Sequence, residues 1–209
     1  MEAKLIATKS GLRPEKPKVE IPDALIYEII DGQPIHYKGY REVMSGKKTF
    51  EEIMGSSTLQ AHIVTYLIML LGRNLDEEKY HVLASEAGMH LNNRNNLAGD
   101  VLVFENSVLP YEALDVHYAQ VPPKVAIEVD ISADPHDMAA DAYIFKKTQK
   151  LLDFGVEKVI WITTEARKVT VATTDADWHT SDWHKDIEIL EGITFNIGAQ
   201  LLKIKSPYA

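Results

Sequence analysis

Three short apolar runs and one amphipathic stretch dominate the central part of the chain. Residues 99–104, 124–131 and 158–163 are rich in Val, Ile and Leu and are bounded by turn-forming residues, a pattern typical of β-strands. Between the last two runs, residues 139–154 repeat apolar positions at helical spacing, and Gly155 predicts the end of that helix. A strand, a helix and a second strand in this order predict a parallel pair with a right-handed crossover.

The flanking segments add further elements to this centre. Residues 81–91 predict a strand that forms a hairpin with the strand beginning at Asp100, so the sheet is antiparallel there and parallel around the helix. The pattern elsewhere predicts two strands around Asp31-Gly32 within residues 25–37, a short helix near 49–54, a helix from Ser57 or Thr58 to about Leu75, a strand over 168–173, a strand pair over 187–195 and a helix over 197–204. The fold class is therefore α/β, a mixed β-sheet flanked by helices with an N-terminal β-hairpin.

Two of these apolar strands contain carboxylates, which do not contribute to an apolar core. Asp100 opens one strand, and in the next the alternation puts Val125 and Ile127 on one face with Glu128 and Asp130 on the other. Burying carboxylates is costly unless a cation or hydrogen-bond donors compensate them. The pattern therefore predicts a partner for these acids, and a divalent metal ion is the simplest one.

One lysine of the helix points towards the sheet. At 100° per residue Lys147 falls within the apolar stripe, whereas Lys146 and Lys150 lie on the opposite side of the helix. An aliphatic stem lying on apolar surface with its amine reaching water is the alternative reading. The stripe consists of Ala140, Ile144, Thr148, Leu151 and Phe154.

These residues together resemble the Uma2 family, a branch of the PD-(D/E)XK nuclease-like superfamily whose members are often labelled restriction endonucleases. The segment Tyr27-Glu28-Ile29-Ile30-Asp31-Gly32 is similar to the opening motif of that family, and the resemblance runs from about Tyr27 to Val171. The other matching residues are Asp100, Glu128, Lys147, Gly155-Val156 and Trp161-Ile162.

The resemblance implies a restriction-endonuclease-like fold and a catalytic site. Asp100 and Glu128 would bind Mg²⁺ or Mn²⁺, Lys147 would orient the attacking water or neutralise charge on the phosphate, and Glu28 would complete the site. The superfamily carries a lysine two residues after the glutamate, where this chain has Asp130, so the resemblance implies a lysine moved to the helix. Gly99 replaces the proline of the family's Pro-Asp, and residues 132–141 are longer than the family pattern.

Length, composition and charge limit the expected number of domains, the cellular compartment and the binding partners. The chain of 209 residues predicts one domain over residues 21–209 behind a flexible arm at 1–20. It contains no cysteine, no apolar run long enough to cross a bilayer and no signal segment, so we expect a cytoplasmic protein without membrane contact. A net charge of −9 argues against coating nucleic acid, and a DNA substrate would need a local cationic patch. The candidates for that patch are Lys124, Lys146, Lys147 and Lys150.

The sequence leaves several functions open. The same acids would serve hydrolysis of another phosphoester, and a non-catalytic binding or scaffold protein on the same fold is the rival that the acidic charge favours. A glycosidase with two carboxylates and no metal would leave the inward lysine unexplained. The repeated segments Asp177-Trp178-His179 and Asp182-Trp183-His184 lack metal-ligand spacing, and we expect their tryptophans to pack on the sheet or across a homodimer interface.

Overall fold

The computed structural model describes residues 20–134 and 136–209 of the chain. The arm predicted for residues 1–20 lies outside these ranges except for Glu20. The strands of the described part are β1 (Ile26–Ile30), β2 (Gln33–His36), β3 (Tyr80–Asn92), β4 (Asn95–Glu105), β5 (Val125–Val129), β6 (Lys158–Thr163), β7 (Lys168–Thr173), β8 (His179–Asp182), β9 (Ile187–Leu190) and β10 (Ile193–Phe195). Its helices are α1 (Tyr40–Met44), α2 (Glu51–Met54), α3 (Thr58–Asn74), α4 (Ala140–Phe154) and α5 (Ile197–Lys203).

Eight of these strands form one mixed sheet in the order β2-β1-β4-β5-β6-β7-β8, with β3 also paired to β4. β5 and β6 run parallel and are connected through α4, whereas the other pairs in this sheet are antiparallel. β9 and β10 form a separate pair. The predicted mixed sheet, its antiparallel region at Asp100 and its N-terminal hairpin are confirmed.

The side chains of the sheet alternate between two apolar layers. On one face β5 and β6 pack against α3 and α5, and on the other they pack against α4. We call these the α3 face and the α4 face. The α3 face includes Ile63, Leu67, Val125, Ile127, Val129, Ile160, Ile162 and Leu201, and the α4 face includes Leu102, Phe104, Ala126, Val159, Trp161, Tyr143, Leu151 and Leu152. No helix within the described residues has the length and apolar character needed to cross a membrane.

β4 pairs with three strands, one along one of its edges and two along the other. β3 pairs along β4 from Asn95 to Glu105 and so occupies one of its two edges. The other edge is therefore shared by two strands, with β1 reaching it at Asn96 and β5 beginning to pair at Val101. Between these two points the backbone of β4 has no strand partner on that edge. The candidate site residues lie around this gap.

The structure differs from the prediction at three short segments. α1 and β8 were not predicted, because α1 buries only Tyr40 and β8 buries no residue, so neither shows an apolar repeat. β5 ends at Val129 rather than at residue 131, since Asp130 adopts a positive φ of 61°. Its carboxylate accepts hydrogen bonds from the backbone N–H and hydroxyl of Thr164, at 2.7 and 2.8 Å. Asp130 therefore turns the chain and does not continue the pleat of Glu128.

The repeated tryptophans pack within this architecture. Trp183 is fully buried in the core of the α3 face. Trp178 lies against Phe145 of α4, with 5.1 Å between the ring centroids. Nδ1 of His184 donates a hydrogen bond of 2.9 Å to the carboxylate of Asp182, which stabilises the turn between β8 and β9. The repeat thus forms apolar contacts in the fold.

We expect Gly155→Ala to lower the free energy of unfolding by about 1–2 kcal/mol or more. Gly155 ends α4 with a φ of 115°, and an added Cβ would lie 3.1 Å from Cγ of Pro122. Gly192→Ala is the control, because Gly192 has a φ of 79° but no atom within 4 Å of the added Cβ. Urea denaturation measures both variants, and equal losses would show that the contact with Pro122 costs nothing.

Candidate functional site

The ammonium group of Lys147 lies at the centre of a buried polar cluster. Lys147 enters from α4 and contacts Glu28 of β1 and Glu128 of β5, with 2.7 Å from Nζ to Oε1 of Glu28 and 3.1 Å to Oε2 of Glu128. Nζ also donates a hydrogen bond of 2.7 Å to the backbone oxygen of Ala98. The side chains are 1%, 0% and 3% exposed for Lys147, Glu28 and Glu128 respectively. All three donors of the ammonium are thus used inside the protein.

The gap along the edge of β4 explains why charged groups are placed here. Ala98 lies between the positions where β1 and β5 pair with β4, and its N–H and C=O find no strand partner on that edge. The N–H donates to Oε1 of Glu28 at 3.0 Å, and the oxygen accepts from Lys147. Buried backbone groups need such partners, so the ion pair completes the sheet where strand pairing stops.

Both carboxylate oxygens of Glu28 accept contacts from neighbouring donors. Its Oε1 accepts from Ala98 and Lys147, and its Oε2 accepts from the hydroxyl of Tyr143 at 2.5 Å. Tyr143 lies one helical turn before Lys147 on α4, so the same helix supplies both donors. Donors that bind the ionised form of a carboxylate stabilise its charge. Both oxygens of Glu28 are therefore occupied by donors, one of which is the ammonium of Lys147.

Aromatic rings close the cluster from the sides. Nζ of Lys147 lies 5.9 Å from the ring centroids of Tyr27 and Tyr143 and 5.7 Å from that of Trp161. Rings at this distance attract a cation and exclude water. Lys147 is fully buried, so its amine does not reach water along an apolar surface.

Asp100 and Glu128 lie on the α4 face of the sheet, next to this cluster. The register that pairs Val101 with Ile127 and Leu102 with Ala126 brings Asp100 opposite Glu128 one step further along. Oδ2 of Asp100 accepts a hydrogen bond of 2.7 Å from the backbone N–H of Val129. Oε1 of Glu128 is buried and has no hydrogen-bond partner. This oxygen is a free acceptor beside a second carboxylate.

The glycine before Asp100 leaves room at this point. A Cβ at Gly99 would lie 2.5 Å from Cδ2 of Leu102 and 3.5 Å from Oε1 of Glu128. A larger residue would need Leu102 to move. Close packing against Leu102 thus favours glycine at this position.

Burial and neighbouring charges shift the pKa values of Glu128, Lys147 and Asp100. Burial raises the pKa of Glu128 to about 8, with the charges of Asp100 and Glu28 acting in the same direction and Lys147 opposing them. Burial alone would lower the pKa of Lys147, but the carboxylates of Glu128 and Glu28 raise it well above its usual value. Burial also raises the pKa of Asp100, against the hydrogen bond from Val129. Near neutral pH the cluster therefore keeps Lys147 charged and binds a proton on Glu128.

The other three lysines of the predicted cationic patch are paired with carboxylates. Lys124 is paired with Glu105 and Glu157, with 2.8 and 2.9 Å between the charged atoms. Lys146 and Lys150 both bind Asp31, at 2.8 and 2.7 Å. These two lysines share one carboxylate because the turn between β1 and β2 lies against α4. A role of these lysines in attracting a phosphate backbone stays a prediction.

Two neighbours of the site were not found from the sequence. Tyr143 could have been found, because it precedes Lys147 by four residues on the same stripe. Glu86 lies in a bulge of β3 opposite Asp100, where Ser85 and Glu86 have φ values of 66° and 55°. Partial burial, followed by the charge of Asp100, raises the pKa of Glu86. No glycine or asparagine in the sequence marks this bulge.

We expect Lys147→Met to lower the free energy of unfolding by about 3–5 kcal/mol, because it leaves Glu28 charged and buried without its partner. The double variant Glu28→Gln/Lys147→Met should recover part of that loss, since the uncompensated charge is then absent. Denaturant unfolding of the wild type, both single variants and the double variant measures the coupling between the residues. Additive single effects would contradict the ion pair described here.

Because the pKa of Glu128 is raised in the folded state, we expect the free energy of unfolding to depend on pH. Because the pKa of Glu128 rises from 4.5 in the unfolded chain to about 8 in the fold, the folded state binds a proton that the unfolded state releases between these values. The contribution of Glu128 to the free energy of unfolding therefore falls as pH rises through this window. Glu128→Gln lacks the titrating group, so its stability relative to the wild type should increase from pH 5 to pH 8.

The exposed Glu165 on the turn after β6 supplies the control Glu165→Gln. Thermal or urea unfolding at several pH values compares the two variants with the wild type. A stability difference for Glu128→Gln that stays constant with pH would contradict the protonation assigned to Glu128.

Comparison with known proteins places the chain in a family. The model of the Uma2 family, described as "Putative restriction endonuclease", matches residues 48–201, more than half of the chain. This range contains Asp100, Glu128 and Lys147, whereas Glu28 precedes it. No curated protein matches the chain.

A solved structure shares the fold. The chain is similar to a protein described as a putative nuclease belonging to DUF820 from Anabaena variabilis ATCC 29413, with a TM-score of 0.62 and 13% identity over 82% of this chain and 87% of that one. Identity this low shows a common fold. The extent of the family match, supported by this fold, shows that the chain belongs to the Uma2 family.

Proposed function

We propose that the protein is a nuclease that hydrolyses phosphodiester bonds in DNA with the help of a divalent metal ion at Asp100 and Glu128. The family and the fold support a nuclease-type hydrolase. The proposal of a metal ion at this position is supported by one observation. Oε1 of Glu128 is a buried carboxylate oxygen that has no hydrogen-bond partner and lies beside a second carboxylate. Leaving such an atom unpaired costs free energy, and a cation would compensate that cost.

The donors present fit Mg²⁺ or Mn²⁺. Both ions favour hard oxygen ligands, and Mg²⁺ is often bound through one or two carboxylates while it keeps several waters and contacts substrate phosphates. Among the described residues, no group of three or more His, Cys, Asp and Glu side chains is arranged to hold a metal ion. A pair of carboxylates with open positions for water and phosphate agrees with that finding.

The roles of the residues follow from their contacts. A bound ion would polarise the scissile phosphate and lower the pKa of an attacking water. Lys147 binds Oε2 of Glu128 and so leaves Oε1 free for a ligand. Its ammonium also offsets the negative charge that an approaching phosphate would meet. Since all three of its donors are used, we assign Lys147 to holding Glu128 and not to orienting water by a direct hydrogen bond.

Glu28 is proposed as a positioning residue and not as a metal ligand. Both of its oxygens already accept hydrogen bonds or ion-pair contacts, from Ala98, Lys147 and Tyr143. Its contribution is to keep Lys147 charged and in place. Asp130 has no part in the proposed site, because Thr164 binds both of its oxygens.

A binding or scaffold protein on the same fold is the second candidate. The observation that favours it is the neutralisation of Lys124, Lys146 and Lys150 by carboxylates, which removes the cations nearest in sequence to the site. In that case Glu128 would remain protonated as part of the core. The two candidates differ in whether metal binding and strand cleavage depend on Asp100.

We expect the purified protein to cleave plasmid or single-stranded DNA in Mg²⁺ or Mn²⁺, and Asp100→Asn to reduce the rate by at least about 100-fold through loss of metal binding. Asp100 is a better target than the buried Lys147, whose removal would disturb the fold. Glu105→Gln is the matched control, because Glu105 lies on the same strand but pairs with Lys124. Calorimetric titration with the same ions measures affinity in parallel.

Equal cleavage by the wild type and Asp100→Asn would identify a contaminating nuclease and reject the enzyme. Metal affinity that is unchanged in both Asp100→Asn and Glu128→Gln would show that the ligands lie elsewhere. Circular dichroism and unfolding curves establish that each variant is folded before these comparisons are made.

A further inference from the structure

A cleft of about 350 Å³ opens beside the site, between α1 and the loop that follows β5. Lys38, Arg41 and Lys47 line it from one side, and Asp134 and His136 line it from the other. None of these residues belongs to the cluster around Lys147. The three cations also precede residue 48, where the family match begins.

The cations of this cleft are available for a ligand, unlike those on α4. Among the described residues, Lys38 and Lys47 form no ion pair, and the guanidinium of Arg41 approaches Asp137 only to 3.7 Å. Arg41 lies 4.9 Å over the ring of Tyr40 and is 54% exposed, so its position is supported while its donors face the cleft region.

The acids of the cleft are less available than its cations. The carboxylate of Asp134 accepts hydrogen bonds from the backbone N–H groups of His136 and Gly39, at 2.8 and 3.4 Å, and Asp134 is 3% exposed. Glu42 is the other carboxylate in the lining. Three cations therefore face two carboxylates, one of them buried and bonded, in a chain whose net charge is −9.

Short contacts connect the cleft to the candidate site. The backbone N–H of Lys38 donates to the oxygen of Ser132, four residues after Glu128, at 2.7 Å. The preceding residue, Tyr37, packs its ring 5.1 Å from that of Tyr27, which in turn lies 5.9 Å from Nζ of Lys147. Two aromatic rings thus separate the cleft from the buried ammonium.

We propose that the cleft formed by Lys38, Arg41 and Lys47 binds backbone phosphates of the nucleic-acid strand whose cleavage is proposed for Asp100 and Glu128. This inference rests on the proposed function and adds to it the surface by which an acidic protein holds a polyanion. Arginine binds phosphate through paired donors and lysine binds it as a point charge, so the three side chains suit a polyanion.

The geometry also sets a requirement on the substrate. Phosphates follow one another about every 3.4 Å along each strand of a duplex. The two rings lie 5.1 Å apart, so a strand that reaches from the carboxylates across Tyr27 and Tyr37 into the cleft extends more than one nucleotide beyond the cleaved bond. The cleft selects polynucleotides over small phosphodiesters.

The test is the salt dependence of binding to a labelled single strand of 20 nucleotides, measured by fluorescence anisotropy in EDTA so that the strand stays intact. Removing three phosphate contacts should make the slope of log Kd against log salt less steep by about 2, and should weaken binding at low salt by about tenfold or more. The variant is Lys38→Gln/Arg41→Gln/Lys47→Gln.

The control carries the same change in charge at a distance from the cleft. Lys185, Lys203 and Lys205 are exposed, and Lys203 belongs to α5 on the α3 face of the sheet. Lys185→Gln/Lys203→Gln/Lys205→Gln should keep the slope of the wild type. Equal slopes for the cleft variant and the wild type would overturn the proposal, as would equal reductions in the two triple variants.

A further measurement separates this inference from the proposed function. Wild-type hydrolysis of bis(p-nitrophenyl) phosphate in Mn²⁺ reports the metal site with a substrate too small to reach the cleft. Hydrolysis of this diester together with unchanged DNA binding by the cleft variant would reject the cleft while leaving the enzyme. A wild type that binds no DNA would also reject the cleft, whatever the result with the small diester.

Discussion

Burial of a single ammonium group is the constraint on which the rest of this structure depends. Lys147 is completely removed from water. The free energy needed to bury an unpaired charge there would exceed the free energy of unfolding of a typical domain. Three acceptors compensate it, and they come from β1, β4 and β5. The gap in strand pairing along β4 is what makes one of these acceptors, the oxygen of Ala98, available. The gap in the sheet thus provides an acceptor for the ammonium, and the ammonium provides the hydrogen bond that the backbone oxygen of Ala98 lacks.

The two glutamates that bind Lys147 differ in the number of donors around them. Glu28 receives the hydroxyl of Tyr143 and the N–H of Ala98 in addition to the ammonium. Glu128 receives the ammonium alone and keeps one oxygen free. Two identical side chains therefore differ in how many of their oxygens are occupied by donors. This difference supports the separation proposed above, in which one acid keeps the lysine in place and the other acid meets a ligand.

The sequence predicted those parts of the site that depend on local periodicity. The helical stripe places Lys147 inward, and strand alternation puts Glu128 opposite the apolar face, because both patterns are local properties of one element. The partners of Glu28 could not be predicted, since they depend on where β1 and β5 stop along the shared edge of β4. The pairing of Lys146 and Lys150 with Asp31 has the same origin, a contact between a turn and a helix more than a hundred residues apart. The bulge at Glu86 has no compositional mark at all.

The buried cluster also determines how the chain can fold. Tyr143 and Lys147 of α4 bind groups that lie 115 and 49 residues earlier in the sequence. A helix docked without the N-terminal hairpin would place an ammonium in an apolar layer with too few acceptors. α4 and the hairpin of β1 and β2 therefore gain their stability together and form one cooperative unit, although one is a central crossover and the other lies at the edge of the sheet. One edge of the sheet is in this way connected to its core through α4.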